Sequence, residues 1–245
     1  MAPEIRFAPP GTDPAKLRAE FPLSDAERQA LTPDSVKALT QVQVDQIYAR
    51  LNTGPIPDGP FRGDLFFPRD RSGTAPVSSV SDAAPDALGP LAALPVERLA
   101  RMFWRGKVLF RSQALVRNRI EDLAILKPII KDADTIPKLK FDGQTTWLLF
   151  PARLSCGNSR FDNTRSIVID YAETEKLDGY RDIPDKIAGP QGLNIFDEVR
   201  LVRRGFYLGR SYFGKRFALN FTLADPAVAT SPAPAPNLQE DCDAR

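Results

Sequence analysis

Apolar residues in this chain repeat with two different periods, and the change from one to the other divides it. Val36, Leu39, Val44, Ile47, Tyr48 and Leu51 fall on one helical stripe behind Pro33, a residue suited to a first helical position, so the spacing predicts an amphipathic helix over 33–51. Such a stripe packs against a sheet. Ahead of it, Ser24-Asp25-Ala26-Glu27 has the spacing of a capping box and predicts a short helix ending near Leu31. Residues 1–23 are rich in proline and read as irregular surface chain.

Asn52-Thr53-Gly54-Pro55 stops the helical part, and from Phe61 the period falls to two. Residues 61–67 read as a first strand. Over 104–111, Trp104, Gly106, Val108 and Phe110 share one face, and Arg105, Lys107, Leu109 and Arg111 the other. Further strands are predicted over 145–150, 165–171, 196–203, 205–212 and 215–223. Residues 72–90 read as a long loop and 95–102 as a short helix. Residues 117–140 are ambiguous, with Pro128 and Pro137 breaking either element. Strands gathered after the helices, without βαβ alternation, predict an α+β fold, mainly antiparallel β, whose sheet curls or closes. The organisation is then an N-terminal helical extension (1–55), a barrel-like domain (56–223) and a disordered tail (224–245), the tail on the composition of ADPAVATSPAPAPNLQEDCDAR.

Within the barrel-like part, DEVRLVRRGFYLGRSYFGKRFALNFTL (197–223) carries arginines in what reads as an apolar hairpin. With Phe213-Gly214 as its turn, Phe206, Leu208, Arg210, Tyr212, Phe217, Leu219 and Phe221 share one face, and Tyr207, Gly209, Ser211, Arg216, Ala218 and Asn220 the other. A guanidinium on the apolar face needs a carboxylate, a rim position or an anionic ligand. Asp170, Asp197 and Glu198 are the candidate carboxylates. Alternatively, Arg210 and Tyr212 grip an anionic head group while the apolar set of Phe206, Leu208, Phe217 and Leu219 holds its tail.

Composition narrows the chemistry. The 245 residues include 33 basic and 31 acidic side chains, a net charge of +2, so no global field draws nucleic acid or an anionic membrane. There is no histidine, which removes the usual general base and the commonest metal ligand. No metal and no cofactor is expected, since the chain has no GxGxxG, Walker A or GxSxG pattern. Cys156 and Cys242 lack CxxC spacing and read as two free thiols, Cys156 in a turn at Ser155-Cys156-Gly157-Asn158. Free thiols, with no signal-peptide core and no bilayer-length apolar run, place the protein in the cytoplasm.

Four separated motifs, FWRGKVLF (103–110), VRNRI (116–120), IVIDYAET (167–174) and DEVRLVRRGFYLGR (197–210), resemble a family of functionally uncharacterised bacterial proteins. More distantly they are similar to the GXWXG/DUF4334 type of small β protein. The resemblance covers 56–223 and implies a lipocalin-like, calycin-type barrel, but no activity. The residues that match its pattern are Trp104, Gly106, Lys107, Asn118, Arg119, Asp170, Tyr171, Asp197, Glu198, Arg200, Gly205, Tyr207, Leu208 and Gly209. The chain departs from it over 131–164.

The function these observations favour is binding of a small apolar or amphipathic molecule, an acid among the candidates, in a barrel cavity. Arg210, Tyr212, Phe206, Leu208, Phe217, Leu219, Trp104 and Arg119 are the expected ligand-binding residues. A histidine-free decarboxylase or isomerase ranks second, with Asp170, Tyr171, Asp197, Glu198 and Arg200 as acid, base and clamp. Single-stranded nucleic-acid binding by the basic and aromatic alternation of 200–217 ranks third.

Overall fold

A computed structural model describes residues 4–82, 92–123, 126, 130, 132–227 and 241–242 of the chain. Four helices come first: α1 (Pro14–Glu20), α2 (Asp25–Ala30), α3 (Pro33–Lys37) and α4 (Gln41–Arg50). Each starts at a side-chain cap, from Asp13, Ser24, Thr32 and Thr40 in turn, which accepts a first-turn backbone N–H. Helix α1 corrects the reading of 1–23 as irregular: Asp13-Pro14 supplies both a cap and a proline in the first turn. The single helix predicted over 33–51 is two, because Thr40 and Gln43 form a capping box of their own that restarts the chain.

Nine strands follow: β1 (Gly59–Phe66), β2 (Gly106–Phe110), β3 (Leu115–Ile120), β4 (Lys138–Phe141), β5 (Gln144–Asn158), β6 (Arg165–Asp170), β7 (Ile195–Arg203), β8 (Phe206–Phe213) and β9 (Arg216–Ala224). Their order is β3-β2-β1-β9-β8-β7-β6-β5-β4, with β3 also pairing β5. The ring therefore closes with eight antiparallel strands, and β4 rides outside it on β5. This is the expected α+β fold, an up-and-down barrel of the lipocalin-like kind with helices ahead of it. Eight strands leave an interior that side chains fill, or that one small ligand shares with them.

Strand β5 corrects a second expectation. Ser155–Asn158 is not a turn but the end of that strand, laddered to β6 with Cys156 opposite Ile167 and Asn158 opposite Arg165. Small polar residues read as a turn locally, yet a β-branched neighbour strand supplies the pairing that overrides propensity.

Two cores form on the two faces of the barrel wall. Outside, Leu31, Val36, Val44, Ile47, Tyr48 and Leu51 of the helical region pack on Phe66, Val202, Phe206 and Leu208, so the stripe seen in the sequence does cover a sheet. Inside, Leu109, Val116, Ala152, Leu154, Ile167, Val199, Leu201 and Leu223 fill the end of the barrel where β1 begins. Residues 77–80 form a short helix, α5, within the predicted long loop, of which 83–90 lie outside the described residues. The opposite end is capped by α6 (Val96–Phe103) and by the segment after α7 (Asp182–Asp185), through Leu99, Ala100, Ile187, Ala188 and Leu193.

Cys156 and Cys242 form a disulfide, with Cα atoms 5.4 Å apart. They are not free thiols: they lie 86 residues apart in sequence, a pairing that short-range spacing does not reveal. Beside it, Asp241 Oδ2 accepts from Ile56 N at 2.8 Å and pairs with Arg111 at 2.9 Å, and Cys242 O accepts from Arg165 Nε at 3.1 Å. Asp241 and Cys242 are therefore docked on the barrel, although they fall in the segment predicted to be disordered; 228–240 and 243–245 lie outside the described residues. Disulfides persist in oxidising compartments, so these two cysteines do not speak for a reducing one. Among the described residues no helix is long and apolar enough to cross a membrane.

Candidate functional site

The hairpin of β8 and β9 turns at Gly214-Lys215, one residue later than predicted, with Phe213 opposite Arg216. A bulge between Ser211 and Tyr212 then lets Tyr212 pair with Phe217 and Ser211 with Leu219. A one-residue slip exchanges the faces of a strand. As a result Leu219 and Phe221 face inward with Ser211, while Phe206, Leu208, Arg210, Tyr212 and Phe217 face outward.

Inside, between the apolar core and the capped end, lies a cavity of about 100 Å³. Its walls are mostly apolar, with Leu65, Trp104, Phe150, Leu193, Leu219 and Phe221 among them. Its wall also holds a buried polar cluster. Lys107 and Asn118 are directly opposed on β2 and β3, so their side chains enter the barrel together. Lys107 Nζ donates to Asn118 Oδ1 at 2.8 Å and to Tyr171 Oη at 2.8 Å, and pairs with Asp197 Oδ2 at 2.9 Å. The Tyr171 hydroxyl donates to Asn118 Oδ1 at 3.1 Å. The ammonium also lies 5.4 to 5.7 Å from the ring centroids of Trp104, Tyr171 and Phe221.

Burial works against a charged lysine, but the Asp197 carboxylate and Tyr171 more than offset it and hold the Lys107 pKa above its ordinary value. Burial pushes the Tyr171 phenol up, so it stays protonated. Two polar atoms of this region, Asp197 Oδ1 and Trp104 Nε1, are buried with no hydrogen-bond partner among the described residues.

Of the sequence-predicted ligand residues, the structure brings Trp104 and Leu219 to the cavity. Arg210 lies on the outer face, 4% exposed, in an ion pair with Asp45 of α4 and 4.0 Å from Glu198 Oε1. Its guanidinium stacks on Phe161 and Phe217 at 4.2 and 4.4 Å, and its Nε donates to Tyr212 Oη at 3.3 Å. Tyr212 in turn donates to Glu198 at 3.0 Å. Arg210 therefore stands between two carboxylates: Glu198, one of the three expected partners, and Asp45, which was not among them. Phe206 and Leu208 belong to the outer core. Arg119 is also outside the lumen, donating to Phe61 O at 3.0 Å and pairing with Glu121, with the Phe141 ring of β4 4.1 Å away. Arg200 is buried with a two-pronged contact to Asp162, 2.7 Å on each side, and Arg203 is buried as well. These arginines of the 200–217 stretch are thus unavailable to a nucleic-acid backbone.

Lys107 and Asn118 were not expected at the site, and Tyr171 and Asp197 only as catalytic candidates. A signal was present: each lies in a different one of the four separated motifs, and Lys107 shares a strand face with Leu109, a core residue. Among the described residues no group of three or more His, Cys, Asp or Glu side chains is placed to hold a metal ion.

Comparison with protein-family models and with curated proteins finds no match. Among solved structures the chain is similar to a crystal structure of a protein from Thermomonospora curvata, at 17% identity and a TM-score of 0.39, covering 78% of this chain and 90% of that one.

Proposed function

We propose that the protein binds a small, largely apolar molecule inside the barrel, against the cluster of Lys107, Asn118, Tyr171 and Asp197. The observation that carries this reading is a cavity whose apolar walls hold one buried polar cluster. Apolar walls supply affinity and a few polar atoms supply orientation, which is how small-molecule sites are made. Volume limits the ligand. An apolar cavity of about 150 Å³ accepts benzene, so the roughly 100 Å³ here suits a small ring or a short chain. A long fatty-acid tail fits only if the capping segments move.

A single-tryptophan variant tests the reading directly. Trp104 lines the cavity and the only other tryptophan is Trp147, so Trp147→Phe leaves one reporter at the site. Saturable changes in its emission with small alcohols, ketones or hydrocarbons are expected, and Ala188→Met, which fills the cavity, abolishes them. Emission that responds to none of these probes refutes the reading.

A second reading, a histidine-free enzyme of isomerase or decarboxylase type, is favoured by one observation. Tyr171 and Asp197, two of its candidate groups, meet in the cavity, whereas Glu198 and Arg200 do not. Product formation lost in Asp197→Asn but kept in Arg200→Lys would move the assignment to this class.

A further inference from the structure

The unsatisfied atoms of the cavity say what kind of molecule it accepts. An ammonium has three N–H groups, and those of Lys107 are directed to Asn118, Tyr171 and Asp197. The Tyr171 hydroxyl is committed to Asn118. No charged donor is left over for an anion. Asp197, by contrast, is engaged through Oδ2 alone, and Oδ1 stands buried without a donor. A buried carboxylate oxygen in that state carries its desolvation cost uncompensated until something donates to it.

Charge points the same way. Lys107 and Asp197 neutralise each other, so a ligand carboxylate would add a net negative charge among Leu65, Phe150 and Phe221 with Asp197 facing it. A hydroxyl or an amide N–H adds none. It supplies the proton that Asp197 Oδ1 lacks, and its oxygen is an acceptor for a donor such as Trp104 Nε1, which is also unpartnered.

We propose that the site is selective for neutral hydrogen-bond donors, alcohols or N–H compounds on a small apolar body, over carboxylic acids, with the Asp197 carboxylate as receptor. This rests on the binding reading above and goes past it in naming the ligand class.

The test uses the full-length protein and four probes matched in size: cyclopentanol, cyclopentanone, methylcyclopentane and isobutyrate, titrated by Trp104 emission in the Trp147→Phe variant and by calorimetry on the wild type. Cyclopentanol is expected to bind at least tenfold more tightly than each of the others. Equal or tighter binding of the carboxylate overturns the proposal while leaving a binding cavity, and so does equal binding of methylcyclopentane. Failure of all four to bind overturns the binding reading itself. In Asp197→Asn the amide keeps its oxygen for Lys107 and turns a donor to the cavity, so the preference should shift from alcohol towards ketone by at least tenfold. An unchanged alcohol preference in folded Asp197→Asn protein also overturns the proposal.

Discussion

Lys107 of β2 and Asp197 of β7 stand on strands that are four steps apart either way around the eight-stranded ring, and their side chains meet 2.9 Å apart inside it. The pair thus ties opposite walls of the barrel across an apolar lumen.

Removing one partner strands the other charge. Lys107→Met is expected to lower the unfolding free energy by about 3–5 kcal/mol, because Asp197 is left buried without its cation. Replacing both, as Lys107→Met with Asp197→Leu, should recover most of that loss. Urea unfolding of the three proteins checks this, and a single variant as stable as the wild type would contradict it.

How much of this was legible in the sequence depends on the range of the interaction that decides each feature. The barrel was legible because alternation on β1, β2 and β6 to β9 is local, and so were the helix starts at Ser24 and Pro33. The face of each strand was not. A turn one residue later than expected moves the register by two and keeps the faces, but a bulge opposite Ser211 and Tyr212, with Ala218 as the extra residue of β9, turned Leu219 and Phe221 inward, and no local rule anticipates a bulge. The site suffered most, because Arg210 attracts attention as a charge in an apolar stretch, yet it is answered by Asp45 from a helix 165 residues away. Lys107 looked ordinary on a strand of alternating charge. Only closure of the ring shows that it points in.

The disulfide ties residue 242 to a strand of the barrel across a sequence separation of 86. Closing a loop of that size restricts the unfolded chain, so Cys242→Ser should cost about 2–4 kcal/mol in chemical unfolding. Reductant should lower the wild type by the same amount and leave the variant unchanged. Free-thiol titration of the unfolded, unreduced protein should find none; a full complement of thiols would refute the bond.

Asp185 gives the stability a pH dependence of definite sign. Fully buried beneath the capping segment, it accepts from Phe150 N at 2.6 Å and Arg181 N at 2.9 Å. Burial nevertheless raises its pKa from 3.8 to about 6. Between those values the folded state holds a proton that the unfolded state has released, so this group's contribution is complete below 3.8 and is lost as pH rises through about 6. Unfolding free energy measured from pH 4 to 7 should contain this falling component in the wild type. Asp185→Asn should remove it, though the amide is expected to lower stability overall by losing one of the two acceptor contacts. A pH profile identical in both proteins would sink the assignment.

Arg210 separates packing from binding. Its guanidinium lies on the outer face of β8 between Asp45, Tyr212, Phe161 and Phe217, close to Glu198, a carboxylate with no solvent exposure. Burial alone would lower its pKa, but Asp45 and Tyr212 more than offset this and keep the guanidinium firmly charged. Arg210→Met keeps much of the side-chain length and removes the charge, leaving Glu198 with Ser159, Arg160 N and Tyr212 but without its ion-pair partner. Stability should fall by about 3–5 kcal/mol. Asp45→Asn should cost less, because Asp45 keeps 24% side-chain exposure and water screens it. Neither change touches the lumen, so the affinity of cyclopentanol measured by Trp104 emission should stay within twofold of the wild type at temperatures where each variant is folded. Ser211, the next residue along β8, points the other way and lines the cavity. Ser211→Leu should therefore invert the pattern, with binding lost through filled volume and the helices outside undisturbed. Loss of affinity in Arg210→Met together with normal affinity in Ser211→Leu would mean that ligands are held between the barrel wall and α4, and not inside the barrel.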